Sequence, residues 1–172
     1  MKYWTREAEY LFDLNGYIII SNYFDDVTVN RLRQALVQLE GTEHLPKPLI
    51  FGKPRTKNSA YISNIAEAGP DFTSIIKDPC INEVMNAVMG GYYRFNHSYA
   101  TSHGLGEQTT MHMGGSPIHP KATYLVKNNR IFSSLTKVII PLENNAIEDG
   151  CFCVVPGSHK SNFEFGNTFN LK

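Results

Sequence analysis

Four of the six histidines, His97, His103, His112 and His119, fall in one short stretch rich in strand-forming residues. A strand suits metal ligands, because residues i and i+2 project from the same face and can meet one ion. A non-haem Fe(II) centre needs two His and one carboxylate on one side, with positions left open for oxygen and substrate. The strand form of the first two ligands is His-x-Asp or His-x-Glu. The nearest match is His112-Met113-Gly114, where glycine holds the carboxylate position. On residue types alone, a strand histidine is more commonly a hydrogen-bonded structural residue. Other candidates are weaker. Gly104-Leu105-Gly106 lacks the strand–helix setting of a phosphate loop. Pro156-Gly157-Ser158-His159-Lys160 is no nucleophile elbow. It predicts a turn in which Ser or His satisfies backbone groups. Lys47, Lys53, Arg55 and Lys57 fit a solvated loop better than an anion site.

The elements that must position these residues follow from periodicity. Thr5 to Leu14 has helical spacing of Trp4, Ala8, Leu11 and Phe12, and Asn15-Gly16 stops it. Tyr17 to Ile20 is β-branched and apolar, and predicts a strand. A helix over Asp26 to Glu40 has Asp25 or Asp26 as its cap and Val29, Leu32, Leu36 and Leu39 as its stripe. Gly41 to Ala60 predicts a long irregular segment with at most a short strand at Leu49-Ile50-Phe51. A third helix is expected from Pro79 to Met89. Strands are expected at Tyr92 to Thr101, Thr109 to Met113, Ala122 to Val126, Ile131 to Ser133, Leu135 to Leu142 and Cys151 to Val155. Lys127-Asn128-Asn129-Arg130 suits a hairpin turn. Helices first and strands afterwards imply an α+β, mainly β fold. A single domain spans 1–172, helical to about residue 90 and β-rich beyond it.

Lys plus Arg equals Asp plus Glu at 16 each, which argues against a general nucleic-acid binder. The longest apolar run is too short to span a membrane, and the N-terminus lacks the apolar stretch of a signal peptide. Three cysteines, Cys80, Cys151 and Cys153, with no CxxC spacing, fit a reducing cytoplasm. Cys151 and Cys153 are expected as small buried hydrophobes on one face of a strand.

Phe12-x-x-x-Gly16-Tyr17-x-x-Ile20 before an acid-capped helix is similar to the N-terminus of phytanoyl-CoA dioxygenase-like proteins. Asp149-Gly150-Cys151, followed by Val155-Pro156-Gly157-Ser158-His159-Lys160, closely resembles the signature of that family. Met111-His112-Met113-Gly114-Gly115 falls where the family places its first metal ligand. The resemblance covers about residues 10 to 163. It implies a double-stranded β-helix (a cupin-like jelly roll) and an Fe(II)- and 2-oxoglutarate-dependent dioxygenase that hydroxylates a small organic substrate. It carries over one ligand only, His112, with Gly114 in the carboxylate slot. The family's distal His and 2-oxoglutarate-binding Arg lie on strands past the Pro-Gly-Ser-His-Lys turn, and have no counterpart before Lys172.

The chain is therefore expected to look like a family member lacking its C-terminal strands, with Fe(II) and 2-oxoglutarate weakly bound or absent. Two alternatives stand beside the dioxygenase reading. One is a non-catalytic jelly-roll binding or interaction domain. The other is a halogenase-like enzyme, in which glycine leaves room for a halide. His112 is expected on a strand, facing the jelly-roll interior. A homodimer is expected by edge pairing or by exchange of the tail from Asn162 to Lys172. The expected partners are a small-molecule substrate and a second copy, with no nucleic acid and no membrane.

Overall fold

The computed structural model describes residues 2–52, 59–107, 109, 111, 112, 114 and 122–163. Helix α1 (Arg6–Asn15) starts where the Thr5 hydroxyl accepts from the Ala8 amide, and it ends at Gly16 with φ +84°. Helix α2 (Asp26–Glu40) is capped by the Asp25 carboxylate on the Thr28 amide. Both match the expected spans within a residue. Helix α4 (Pro79–Val88) begins at Pro79, with the Asp78 side chain accepting from the Cys80 and Ile81 amides. Helix α3 (Pro70–Ile76) is an addition to the expected elements. Its signal was Gly69-Pro70-Asp71, a proline at the first helical position with an acid in the first turn.

Strands β1 (Ile50–Phe51), β2 (Ser59–Ser63) and β3 (Tyr99–His103) form an antiparallel sheet in that order. Strands β4 (Tyr124–Lys127) and β5 (Arg130–Ser133) form a separate hairpin. Asn128 and Asn129 turn it at φ +52° and +57°, the paired positive values of the tight hairpin turn. The result is a mixed helix-and-sheet architecture with small antiparallel sheets, as the order of elements implied.

Two apolar clusters hold these elements. Trp4, Phe12, Met85, Val88 and Ile131 join α1, α4 and the β4–β5 hairpin. Leu32, Leu49, Ile62, Ile65 and Phe72 join α2, α3 and the three-stranded sheet, with Ala100 and Leu142 packed against them. On β3, exposure alternates residue by residue, so Ala100 turns inward while Tyr99, Thr101 and His103 turn outward.

Several expected strands are not found. Tyr17 to Ile20 lies in no ladder; Ile18 packs on the first cluster while Ile19 is 80% exposed. Only the last part of Tyr92 to Thr101 pairs, and Tyr92 is 95% exposed. Leu135 to Leu142 and Cys151 to Val155 carry no strand, and Val138, Ile139, Phe152, Val154 and Val155 are exposed. The cause is general: β-propensity describes a fit to a paired, half-buried surface, and these stretches face no ladder among the described residues. Cys151 is half-buried and Cys153 exposed, so the expected buried pair on one strand face is also corrected. The tail from residue 164 onward lies outside the described residues.

Candidate functional site

The turn at Ser158–Lys160 folds back onto the C-terminal end of α1. Gly157 enters it at φ +79°, and its amide donates to the Asn15 carbonyl at 2.9 Å. The two segments that carry the family resemblance, Phe12 to Tyr17 and Pro156 to Lys160, therefore meet in space.

Asp13 links them. Its Oδ1 accepts from the Tyr124 hydroxyl at 2.6 Å, and its Oδ2 lies 3.1 Å from Lys160 Nζ. Its backbone carbonyl, 3.1 Å from His159 Nε2, accepts from that ring. The Tyr124 ring meets the His159 ring edge-to-face at 4.5 Å and also packs near Phe12 at 6.4 Å. Donation from Tyr124, ahead of the Lys160 charge, holds the Asp13 carboxyl below its ordinary range. Burial, then the Asp13 carboxylate, pushes the Tyr124 phenol up. The Asp13–Lys160 pair is about 43% exposed on both sides. A pair so exposed contributes only about 0–1 kcal/mol.

A carbonyl only accepts, so Nε2 of His159 must carry the proton. Its Nδ1 is buried without a hydrogen-bond partner. A proton there would be a buried, unsatisfied N–H, which is why burial lowers the His159 pKa. The ring is thus a neutral packing and hydrogen-bonding element, as the turn reading of this motif implied. It fits over Gly16 because Gly16 has no side chain. A Cβ there would stand 2.7 Å from His159 Cγ and closer still to Nδ1.

Among the described residues, the other histidines do not gather. His112 lies in irregular backbone and is exposed, which corrects the expected inward strand position. Thr109 and Met111 beside it are also outside any strand. His103 Nε2 lies 3.1 Å from Thr109 Oγ1, and His97 Nδ1 lies 3.0 Å from Asn96 Nδ2. His119 is outside the described residues. Glu143 pairs with Arg33, and the Asp149 carboxylate accepts from the Ala146 amide. Among the described residues, no three His, Cys, Asp or Glu side chains converge on a point that could hold a metal. Among the described residues, a Cβ at Gly114 would meet nothing within 4 Å. The described residues therefore do not fit an Fe(II) centre.

Two outcomes test this docking. Gly16→Ala should cost more than the ~1–2 kcal/mol of a left-handed non-glycine residue alone. The excess should vanish in a His159→Ala background, as measured by denaturant unfolding; equal costs in both backgrounds would contradict the contact. The second concerns pH. The folded-state pKa of His159 is depressed below its ordinary 6.5, so the unfolded chain binds the proton more readily. Its contribution is fully present above pH 6.5 and is lost as pH falls through the folded-state value. Unfolding midpoints measured down that range should fall more steeply for the unaltered chain than for His159→Gln.

The family model for Phytanoyl-CoA dioxygenase (PhyH) matches residues 12–169. No curated protein matches the chain. No solved structure matches it. The match begins at Phe12 in α1 and takes in the docked turn, and on that extent the chain belongs to the phytanoyl-CoA dioxygenase family.

Proposed function

We propose that this chain is an oxygenase-family protein that acts on a small organic molecule, with His112 at the position the family pattern assigns to iron. The family implies an Fe(II)- and 2-oxoglutarate-dependent oxygenase type of function, and the match over residues 12–169 is the observation that carries it. In that class dioxygen is the oxidant, and when bound Fe(II) would activate it while 2-oxoglutarate would supply the two electrons that the substrate does not. The jelly-roll architecture and hydroxylation of the substrate belong to the same proposal. What the chain itself contributes is the fixed junction of α1 with the signature turn. His112 and Gly114 sit on irregular backbone, so the metal affinity expected of the isolated chain is low.

A second reading, a non-catalytic jelly-roll binding or interaction domain, is favoured by the stacked rings of Tyr61, Tyr99 and His97 on the β2–β3 sheet face away from Ile62. We place the protein in the cytoplasm on its sparse, odd cysteine count. No helix among the described residues is long and apolar enough to cross a membrane. A homodimer is proposed because Leu125, Val126, Ile139 and Phe152 leave apolar surface open. Light scattering at micromolar concentration should then give twice the 19.4 kDa chain mass; a monomer mass overturns the dimer.

Anaerobic calorimetry with Fe(II) and 2-oxoglutarate tests the oxygenase reading. Weak binding that His112→Ala abolishes is expected. Tight, stoichiometric binding that survives His112→Ala would remove His112 from the site, and absence of any binding would favour the non-catalytic domain.

A further inference from the structure

Two thiols sit side by side in the stretch that leads into the signature turn. Cys151 and Cys153 are separated by one residue, Phe152. The Cys153 thiol donates to the Cys151 carbonyl at 3.4 Å, which folds its sulfur back toward residue 151. The nearness is felt at the other sulfur. A hydrogen bond with the Cys153 side chain, ahead of burial, holds the Cys151 thiol above its ordinary pKa.

Packing does not account for the pair. A free cysteine that serves a core is among the most buried of residues. Cys153 is exposed and Cys151 half-buried, and neither belongs to the two apolar clusters. No ladder among the described residues holds 151–155, and the Phe152 side chain is exposed. Closing a ring across Phe152 therefore breaks no described strand pairing and uproots no core residue. The third cysteine, Cys80, stands apart at the start of α4.

We propose that Cys151 and Cys153 are a reversible dithiol, closed to a disulfide by exchange with a small disulfide such as oxidised glutathione. The exposed Cys153 thiolate attacks one sulfur of the small disulfide, forms a mixed disulfide and releases one small thiolate. Cys151 gives its proton to water and attacks the Cys153 sulfur, and the second small thiolate leaves. Two cysteine thiols are oxidised, one small disulfide is reduced, and the two protons end on the two small thiols. A ring that encloses a single residue is strained, and strained disulfides are readily reduced. In a reducing compartment the pair stays open, and it closes when the small-disulfide pool rises. The site involves none of the residues assigned to iron and is read without metal, so it stands independently of the oxygenase reading.

The test incubates the folded full chain with millimolar oxidised glutathione, alkylates the remaining thiols and maps the peptides by mass spectrometry. A Cys151–Cys153 link is expected, seen as the loss of two hydrogens from one peptide that takes up no alkylating agent, with Cys80 outside it. Millimolar reduced glutathione should then restore both thiols. An unfolded chain with this spacing also closes, so the closure constant is compared with that in urea. It should be several-fold larger in the folded chain, whose sulfurs already meet. Cys151→Ser should leave glutathione trapped on Cys153. The unaltered chain decides the matter even if that variant fails to fold. Separate glutathione adducts on the two cysteines, a link to Cys80 or between chains, a link that resists reduced glutathione, or closure no greater folded than in urea would overturn the proposal.

Discussion

Asp13 is the residue on which the arrangement of this protein turns. Its carboxylate accepts from Tyr124 on the hairpin and pairs with Lys160 on the signature turn, while its carbonyl accepts from His159. One helical residue thus ties together three segments that are far apart in sequence. Each bond is modest: the neutral His159 bond is worth about 0.5–1.5 kcal/mol net, the Tyr124 bond to a carboxylate about 1.5–3 kcal/mol, and the exposed ion pair less than either. Their effect is larger in placement than in energy. The apolar cluster around Phe12, Val88 and Ile131 supplies burial without direction, and the polar junction fixes which face of α1 meets the turn.

The same junction accounts for two glycines. Gly16 ends α1 in the left-handed region and leaves its surface bare where the His159 ring lies. Gly157 turns the chain so that its amide reaches the Asn15 carbonyl. The signature turn is therefore a structural clamp, and the chemistry expected of this family must come from residues elsewhere. His112 is the position the family pattern offers, and it stands apart from the clamp on irregular backbone.

Helices α1, α2 and α4 were legible in the sequence because their determinants are local, whereas α3 was not expected. Asp25, Asp78, Thr5 and Gly16 are caps, and each acts within one turn of its own helix. The Asn128-Asn129 turn was legible for the same reason. Strands β1, β4 and β5 were legible too, and β3 in part; the other expected strands were not found, because a strand is completed by a partner that local sequence does not name. Val138, Ile139 and Val154 have the right side chains for strands and no ladder among the described residues. The clamp was half legible. Both motifs could be seen, but nothing in their spacing said that they touch. The stacking of Tyr61 on Tyr99 was not legible at all, since the two meet only through the β2–β3 register.

If the clamp is a unit, its parts open together. The Gly16 amide is bonded within α1 to the Phe12 carbonyl at 2.7 Å, and the Gly157 amide crosses to Asn15. Native-state hydrogen exchange read at these two amides tests that claim directly. A shared opening free energy, with Gly157 as protected as Gly16, is the result this account predicts. Rapid exchange at Gly157 while Gly16 and the rest of α1 stay protected would show that the turn is not fixed by the helix, and would contradict it.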